Sequence, residues 1–299
     1  MSLRNVLLLM VGVAAVSVSA PIVRLADEPA LAVAFYRTGL AAAILLSLAL
    51  RRHPAELRSL GRRDLARLAG AGALLAIHFV TWFTSLSLTS VAASTVLVTL
   101  QVVFVAAGAW LFLGERVSLP AAGGIAIALA GSIVISGGDF ATSTRAFLGD
   151  LLALAGAATA GGYLLAGRAL RKRISLLTYA GVVYATCALL LIPAMLVAGT
   201  PFGGYELADL GFFAALALGP QILGHTTFNY LLADVDASVV AVAIMGEPIG
   251  ASLLALALFG ETPPATAIVG GAVILAGIYV AVTAQAGRAN GRLVEAPVE

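Results

Sequence analysis

A small set of polar and aromatic residues lies inside long apolar stretches of the chain. Polar groups are costly inside a lipid bilayer, so those near the centre of an apolar stretch are the first candidates for a solute pathway. Carboxylate, amide and imidazole groups can bind the polar parts of a solute, and aromatic rings can stack on its apolar part. The candidates are His78, Trp82, Gln101, Tyr163, His225, Asn229 and Glu247.

Two pairs of these candidates recur at nearly the same separation. Gln101 and Glu247 are 146 positions apart, and His78 and His225 are 147 positions apart. Each histidine is followed four residues later by another candidate, and residues four apart share one face of a helix. The spacing therefore predicts two related groups of side chains that flank one central region.

Structural roles would explain several of these residues equally well. Glu247 precedes Pro248, whose missing N–H frees a carbonyl one turn earlier, and the carboxylate could help to satisfy that break. His78 could form a hydrogen bond between helices. Arg37 lies within two turns of a predicted helix end, where we expect its long side chain to extend to water.

The elements that must position these residues are membrane helices. Hydrophobic residues make up 61% of the 299 residues and charged residues 11%, with a mean hydropathy of +1.04, whereas globular proteins carry about 25% charged residues. This composition excludes a soluble fold, and the net charge of +2 gives no reason to expect nucleic acid. The single Cys187 is interpreted as a small buried hydrophobe.

The hydropathy pattern predicts an all-α membrane protein with ten transmembrane helices. Each apolar stretch is about 20 residues long, the length that a helix needs to cross the hydrocarbon core. The connections are short and contain most of the Gly, Pro and charged residues. The predicted spans are 5–23, 31–50, 66–87, 90–113, 119–137, 148–167, 175–198, 210–232, 238–259 and 264–285.

Basic residues are distributed very unequally between the two predicted membrane faces. When alternate connections are assigned to alternate faces, 14 of the 17 Lys and Arg residues lie on one face, and only Arg24 and Arg145 lie on the other. Arg37 lies within a helix. The positive-inside rule then predicts that both termini are cytoplasmic. We expect the protein to be in the inner (plasma) membrane.

An internal duplication appears when the sequence is compared with itself at an offset of 146. Gly114 and Glu115 then fall on Gly260 and Glu261, each pair at the end of an apolar stretch. Downstream of both pairs, Gly, Ala and Leu residues also coincide. These small residues allow close helix packing, either within the bundle or in a homodimer, and we do not assign them to the site.

The position of the basic connections indicates that the second copy is inverted. Five helices per copy is an odd number, so the second copy must enter the membrane from the opposite face. The Arg-rich residues 51–67 correspond to residues 197–213, which contain no Lys or Arg. Conversely, the connection around Arg24 corresponds to the basic residues 168–173. The predicted units are a first repeat at 1–143, an inverted second repeat at 144–286 and a disordered cytoplasmic tail at 287–299.

The end of each repeat carries the signature of a known family. Residues 102–115 read VVFVAAGAWLFLGE and residues 247–261 read EPIGASLLALALFGE, so that each apolar helix closes with Gly-Glu. With ten spans and a duplication, the chain resembles the drug/metabolite transporter superfamily, in particular its EamA-type ten-helix exporters, which include bacterial aromatic amino-acid exporters. The resemblance implies a basket of helices around a central cavity, with helices five and ten at the side.

The chain departs from the family pattern at one position. Members often have a proline near the middle of both helix four and helix nine. Pro248 fits this pattern in helix nine, whereas Val102 is the equivalent residue in helix four. The sequence alone therefore does not predict that both helices break.

The leading hypothesis is a carrier that exports small amphipathic metabolites, aromatic or other neutral amino acids above all, by alternating access. Its expected partners are a small-molecule substrate and the lipid bilayer, with a homodimer left open, and no cofactor or metal is expected. The alternative is an exporter of other metabolites or drugs that is coupled to protons through Glu247.

Two other classes of protein are less favoured. An intramembrane enzyme would need a nucleophile with its base or a cluster of metal ligands, and neither Gly-x-Ser-x-Gly nor His-Glu-x-x-His occurs. His78 and His225 alone are too few for a metal site. A receptor that transports nothing is disfavoured by the short connections.

Overall fold

The computed structural model describes the backbone of residues 2–113, 119–235 and 237–294. Within these ranges it describes the side chains except those of 109, 112–113, 121, 136–142, 238, 278 and 281–294. The predicted Gly-Glu helix end at 114 and 115 lies outside these ranges, whereas its counterpart at Gly260 and Glu261 lies within them.

The described chain is almost entirely helical, as predicted, and these ranges contain no strand. Its first half contains five membrane-spanning segments, of which the first and the fourth are each made of two helices. Between the second and third segments a short helix lies at the membrane face. The helices are α1 (Leu3–Ser17), α2 (Ser19–Ala26), α3 (Ala30–Arg52), α4 (Pro54–Ser59), α5 (Arg62–Leu86), α6 (Val91–Val98), α7 (Gln101–Leu113) and α8 (Leu119–Thr142).

The second half repeats this order of five segments. Its third segment contains a π-helical stretch, Ala217–His225, between α11 and α12. In the part of the chain whose side chains are described, eight of the ten segments have the length and hydropathy of a full membrane span, and the fifth and tenth include the apolar stretches Ala122–Ile135 and Ala265–Gly277. The helices are α9 (Thr144–Arg171), α10 (Leu176–Ala198), α11 (Leu207–Leu216), α12 (Thr226–Leu231), α13 (Ala237–Ile244), α14 (Glu247–Phe259) and α15 (Ala265–Val294).

The predicted tail at 287–299 overlaps the end of the last helix, α15, which extends to Val294. The disorder of this tail stays a prediction.

Equivalent helices of the two repeats pack against each other. The second segment α3 lies along its counterpart α10, and the fifth segment α8 lies along its counterpart α15. Such pairs are expected beside a pseudo-twofold axis in the membrane plane. The fold is therefore the predicted one, with two inverted five-helix repeats.

The contact between α8 and α15 depends on glycine. A Cβ atom at Gly277 would lie 2.4 Å from the Ala128 nitrogen, and one at Gly131 would lie 2.6 Å from the Gly270 carbonyl oxygen. Small residues permit this approach of two backbones. These glycines therefore pack within the bundle, and a homodimer stays a prediction.

Each membrane face is held by contacts between the repeats. On the face with most of the Arg residues, called the basic face below, Arg173 forms an ion pair with Asp64 at 2.9 Å. On the same face Glu56 accepts hydrogen bonds from the backbone N–H and hydroxyl of Ser175 and from the hydroxyl of Thr178. These bonds hold α4 against the beginning of α10.

Candidate functional site

A buried cavity lies between the two repeats, and six of the seven candidates line it. Its volume is about 30 Å³, which is room for about two water molecules. All of its lining residues except His225 are buried. The candidates in its wall are His78, Trp82, Gln101, Tyr163, His225 and Glu247.

Two helix breaks at equivalent positions form part of the cavity wall. The fourth segment breaks between Val98 and Gln101, and the ninth breaks between Ile244 and Glu247, exactly 146 positions later. All four of these residues line the cavity. In both breaks the backbone turns more tightly, with hydrogen bonds between residues three apart.

These breaks are symmetric although proline is present in only one of them. The break in the fourth segment occurs at Thr99 and Leu100, neither of which forces a helix to end. Irregular backbone within a membrane is tolerated where it lines a cavity or is buried in protein. The sequence did not predict the break in the fourth segment, because no residue type marks it and it depends on the position of this backbone beside the cavity.

Two further helices are interrupted beside the cavity. The first segment is interrupted at Val18, between the cavity residues Val16 and Ser19. The π-helical stretch of the eighth segment ends at His225. Discontinuous helices at the interface of inverted repeats are a recurrent way of building a solute site.

His78 and Trp82 form one aromatic wall, as their spacing predicts. Their rings are stacked, with centroids 5.6 Å apart and an interplanar angle of 16°. The His78 Nδ1–H donates to the Gly156 carbonyl oxygen at 3.0 Å. The hydrogen bond between helices that was considered for His78 is therefore present, and the same ring also lines the cavity.

Asn229 lies behind the cavity and supports Tyr163. The two side chains are hydrogen-bonded, with the Tyr163 hydroxyl 2.9 Å from the Asn229 Oδ1. The Asn229 Nδ2 also donates to the Tyr184 hydroxyl at 3.1 Å, and that hydroxyl is 3.1 Å from the Thr226 hydroxyl. This network fixes the position of Tyr163 in the wall.

Phe228 is a wall residue that sequence reasoning missed. It lines the cavity and is exactly 146 positions after Trp82, so the same offset could have identified it. The spacing of four residues after His225 points to its neighbour Asn229 instead. The bulky aromatic pair Trp82 and Phe228 thus occupies equivalent positions in the two repeats.

Arg37 is buried, and the expectation that it extends to water is wrong. Its side chain is fully enclosed, with 0% exposure. Nε donates to the Gln221 Oε1 at 2.6 Å and Nη1 donates to the Ser19 hydroxyl at 2.7 Å. The guanidinium carbon lies 4.3 Å from the centroid of the Phe79 ring, a cation–π contact. Partners from three other segments therefore compensate for the hydration that the Arg37 guanidinium loses on burial.

Glu247 begins α14, and its side chain is 6% exposed. Pro248 follows at a position where a helix does not need the missing N–H. The Oε1 atom of Glu247 has no hydrogen-bond partner within the described part of the chain. The positive end of the α14 helix dipole lies at this residue and favours a negative charge there.

Arg24 links several segments at the face opposite the basic face. Its Nη1 forms an ion pair with Glu261 at 2.9 Å, and its Nε and Nη2 donate to the carbonyl oxygens of Leu86 and Thr89 at 2.9 and 2.7 Å. Glu261 also accepts from the Val91 backbone N–H at 2.8 Å. We call this group the Arg24 clamp, and it joins the first, third, fourth and ninth segments.

Arg168 makes a corresponding contact on the basic face. Its Nη1 donates to the carbonyl oxygens of Leu232, Ala233 and Val235 at 3.0 to 3.2 Å. Leu232 and Val235 are each 146 positions after Leu86 and Thr89. This Arg168 clamp therefore caps the end of the eighth segment as the Arg24 clamp caps the end of the third.

The site is suited to binding a small molecule. Among the residues that the structure describes, no group of three or more His, Cys, Asp or Glu residues is arranged to hold a metal ion. The cavity instead offers aromatic walls, an amide and a carboxylate at the interface of the repeats.

Comparison with known proteins identifies related sequences and folds. The sequence profile of the EamA-like transporter family matches residues 3–137 and 147–283. A probable terminal-alkyne amino-acid exporter of Streptantibioticus cattleyicolor is 28% identical over 239 residues, which cover 79% of each chain. A crystal structure of a protein with 20% identity covers 94% of this chain and 98% of its own, with a TM-score of 0.69, and shows the same fold.

Proposed function

Because the chain belongs to the EamA-like transporter family, we propose that it exports amino acids or closely related amphipathic metabolites. It is a multi-pass membrane transporter of the drug/metabolite transporter superfamily and not an enzyme. The observation that carries the proposal is the cavity between the repeats, where Glu247 and Gln101 line the same space as the stacked rings of His78 and Trp82. The name of the Streptantibioticus relative, an amino-acid exporter, supports the same substrate class.

Transport proceeds by alternating access in this proposal. The cavity of about 30 Å³ is too small for an amino acid, so the substrate enters only when one face opens. The Arg24 clamp and the Arg168 clamp lie at opposite faces and join equivalent segments. Their alternate opening would expose the cavity first to one side of the membrane and then to the other.

The proposed orientation places the basic face in the cytoplasm of a cell with this protein in its inner membrane. This assignment follows from the positive-inside rule and makes both termini cytoplasmic. The repeat boundary is placed at residue 143, where α8 ends at Thr142 and α9 begins at Thr144. The Arg24 clamp then lies at the outer mouth of the cavity and the Arg168 clamp at the inner mouth.

Trp82→Ala will impair amino-acid transport while the protein stays folded. Removal of the indole deletes the ring that stacks on His78 and widens the cavity, so an aromatic or apolar substrate side chain loses its packing surface. We expect counterflow of radiolabelled L-phenylalanine in protein-only liposomes to fall about tenfold or more. The melting temperature in detergent reports on folding.

The matched control is Trp110→Ala, which removes an exposed tryptophan outside the cavity. We expect this variant to transport at the wild-type rate. If no member of an amino-acid panel showed counterflow with the wild-type protein, the substrate class would be wrong. If both tryptophan variants transported equally, Trp82 would have no role in binding.

A proton-coupled exporter of other metabolites is the alternative, because the buried Glu247 carboxylate could carry a proton. We expect uncoupled, gradient-driven movement, since Glu247 is the only carboxylate among the cavity-lining residues of the described chain. Wild-type transport should then change less than about twofold when a pH gradient is imposed on the liposomes. Strong acceleration by the gradient, lost in Glu247→Gln, would favour the alternative.

A further inference from the structure

An arginine and a glutamate side chain are buried close to the cavity without touching each other. Arg37 lies behind the wall, hydrogen-bonded to Ser19, which lines the cavity. Glu247 lies in the wall itself. The two groups interact electrostatically but do not form a direct ion pair. When a buried cation and a buried carboxylate do not touch, their mutual attraction offsets only part of the free-energy cost of removing each group from water.

Several buried polar atoms around these two residues have no hydrogen-bond partner in the described part of the chain. Arg37 Nη2, Gln221 Nε2 and Trp82 Nε1 are buried donors without a partner in the described part of the chain, and Glu247 Oε1 is a buried acceptor without one. Arg37 and Gln221 are bonded to each other, so these two free donors belong to one hydrogen-bonded pair. A ligand that satisfies this set must both accept and donate hydrogen bonds.

Neighbouring groups hold the Arg37 guanidinium in place. Its plane is supported by the Phe79 ring at 4.3 Å and by the Phe83 ring, whose centroid lies 5.6 Å away. Gln221 belongs to the π-helical stretch, where the Thr226 hydroxyl donates to the Gln221 carbonyl oxygen at 3.0 Å. π-helical turns of this kind are frequent at functional sites. The donors are thus positioned before a ligand arrives.

We infer that Arg37 with Gln221 and Glu247 together bind a zwitterionic head group, a free carboxylate and a free ammonium on neighbouring atoms. The carboxylate accepts from Arg37 and Gln221 beside Ser19, and the ammonium donates to Glu247. The aromatic wall at Trp82 then packs on the rest of the substrate. This inference rests on the proposed function and narrows it to substrates in which both charged groups are unmodified.

Charge balance distinguishes this ligand from simpler ones. An anionic ligand would be attracted to Arg37 but repelled by the Glu247 carboxylate. A cationic ligand would be attracted to Glu247 but repelled by Arg37. A zwitterion compensates both buried charges and adds no net charge to the membrane interior. Selectivity for the head group therefore resides in the two charges, and tolerance of the side chain resides in the apolar wall.

The test compares L-phenylalanine with three analogues in liposomes that contain the full-length wild-type protein. Phenylalanine amide and phenethylamine lack the carboxylate, and 3-phenylpropionate lacks the amine. Each compound competes with radiolabelled L-phenylalanine for counterflow. We expect each analogue to compete at least about tenfold more weakly than L-phenylalanine, as the loss of a charge-assisted hydrogen bond in a buried site implies.

The variants assign the two ends of the substrate. In Arg37→Gln the preference for L-phenylalanine over phenethylamine should fall to less than about threefold, whereas in Glu247→Gln the preference over 3-phenylpropionate should fall. Thr38→Val is the matched control, because the Thr38 hydroxyl beside Arg37 bonds its own helix backbone, and all preferences should persist. Arg37→Lys keeps a buried cation if Arg37→Gln does not fold.

The outcomes separate this inference from the proposed function. If the wild-type protein moves no amino acid, the proposed function fails. If it moves L-phenylalanine but the amide, the amine and 3-phenylpropionate compete equally well, the proposed function stands and the zwitterion site is wrong. If the variants fold and keep every wild-type preference, Arg37 and Glu247 do not bind the head group.

Discussion

Arg24→Glu will hold the outer mouth open and lower the transport rate at least about tenfold. The wild-type guanidinium donates to two carbonyl oxygens and to Glu261. A glutamate in its place would face that carboxylate and those carbonyls with a second negative charge, so attraction becomes repulsion. The ion pair itself is partly exposed and contributes little. The large effect comes from repulsion and from the lost capping of the third segment.

Opening of this mouth can be measured with one engineered cysteine. The only native cysteine, Cys187, is fully buried and can be replaced by serine. In that background Val98→Cys places a thiol in the cavity wall. We expect a membrane-impermeant maleimide added outside to label this thiol about tenfold faster when Arg24→Glu is also present.

Two further variants serve as controls for the Arg24 clamp. Arg24→Glu combined with Glu261→Arg restores the ion pair but not the carbonyl contacts, so it should recover part of the transport rate. Arg145→Gln removes a single exposed hydrogen bond to the Ser87 carbonyl oxygen and should change labelling and transport less than about twofold. Equal labelling of Arg24→Glu and the wild-type background would mean that the Arg24 clamp does not close this mouth.

Gly277→Val will separate α8 from α15 and lower the melting temperature by about 10 °C or more. A Cβ atom at this position would lie 2.4 Å from the Ala128 nitrogen and 2.6 Å from the Gly124 carbonyl oxygen. Both are backbone atoms within a helix, so neither can move without moving the helix. Overpacking of a core costs about 1 to 3 kcal/mol where side chains can adjust, and here they cannot.

Thermal unfolding in detergent, followed by size-exclusion chromatography, measures this effect. The control is Gly123→Val in α8, where nothing lies within 4 Å of the added Cβ atom. We expect its melting temperature to stay within about 2 °C of the wild-type value. The close contact between α8 and α15 would be refuted by two valine variants of equal stability.

The main features of the fold could be predicted from the sequence because each depends on a strong local signal. Ten apolar stretches predict ten membrane segments, since length and hydropathy decide whether a helix spans. The basic connections lie at different, non-equivalent positions in the two repeats. This predicts that the second repeat is inverted relative to the first, because the charge of the loops decides the orientation of the helices. The offset of 146 paired Gln101 with Glu247, and the structure places both at equivalent helix breaks beside the cavity.

Most of the candidate site could also be anticipated, for a reason specific to membranes. A polar side chain near the centre of a span has no water, so it must face other protein groups or a cavity. Six of the seven candidates line the cavity for this reason. Asn229 satisfies the same requirement differently, through its hydrogen bonds to Tyr163 and Tyr184.

What the sequence alone determined is thus the number and order of the helices, the inverted relation of the two repeats and the polar residues at the helix centres. Tertiary structure alone decided that Arg37 turns inward, because its partners Gln221, Ser19 and Phe79 come from other segments and share no local pattern with it. Tertiary structure also decided that the fourth membrane-spanning segment breaks without a proline. Both depend on close packing of distant segments, and hydropathy and spacing carry no signal for such contacts.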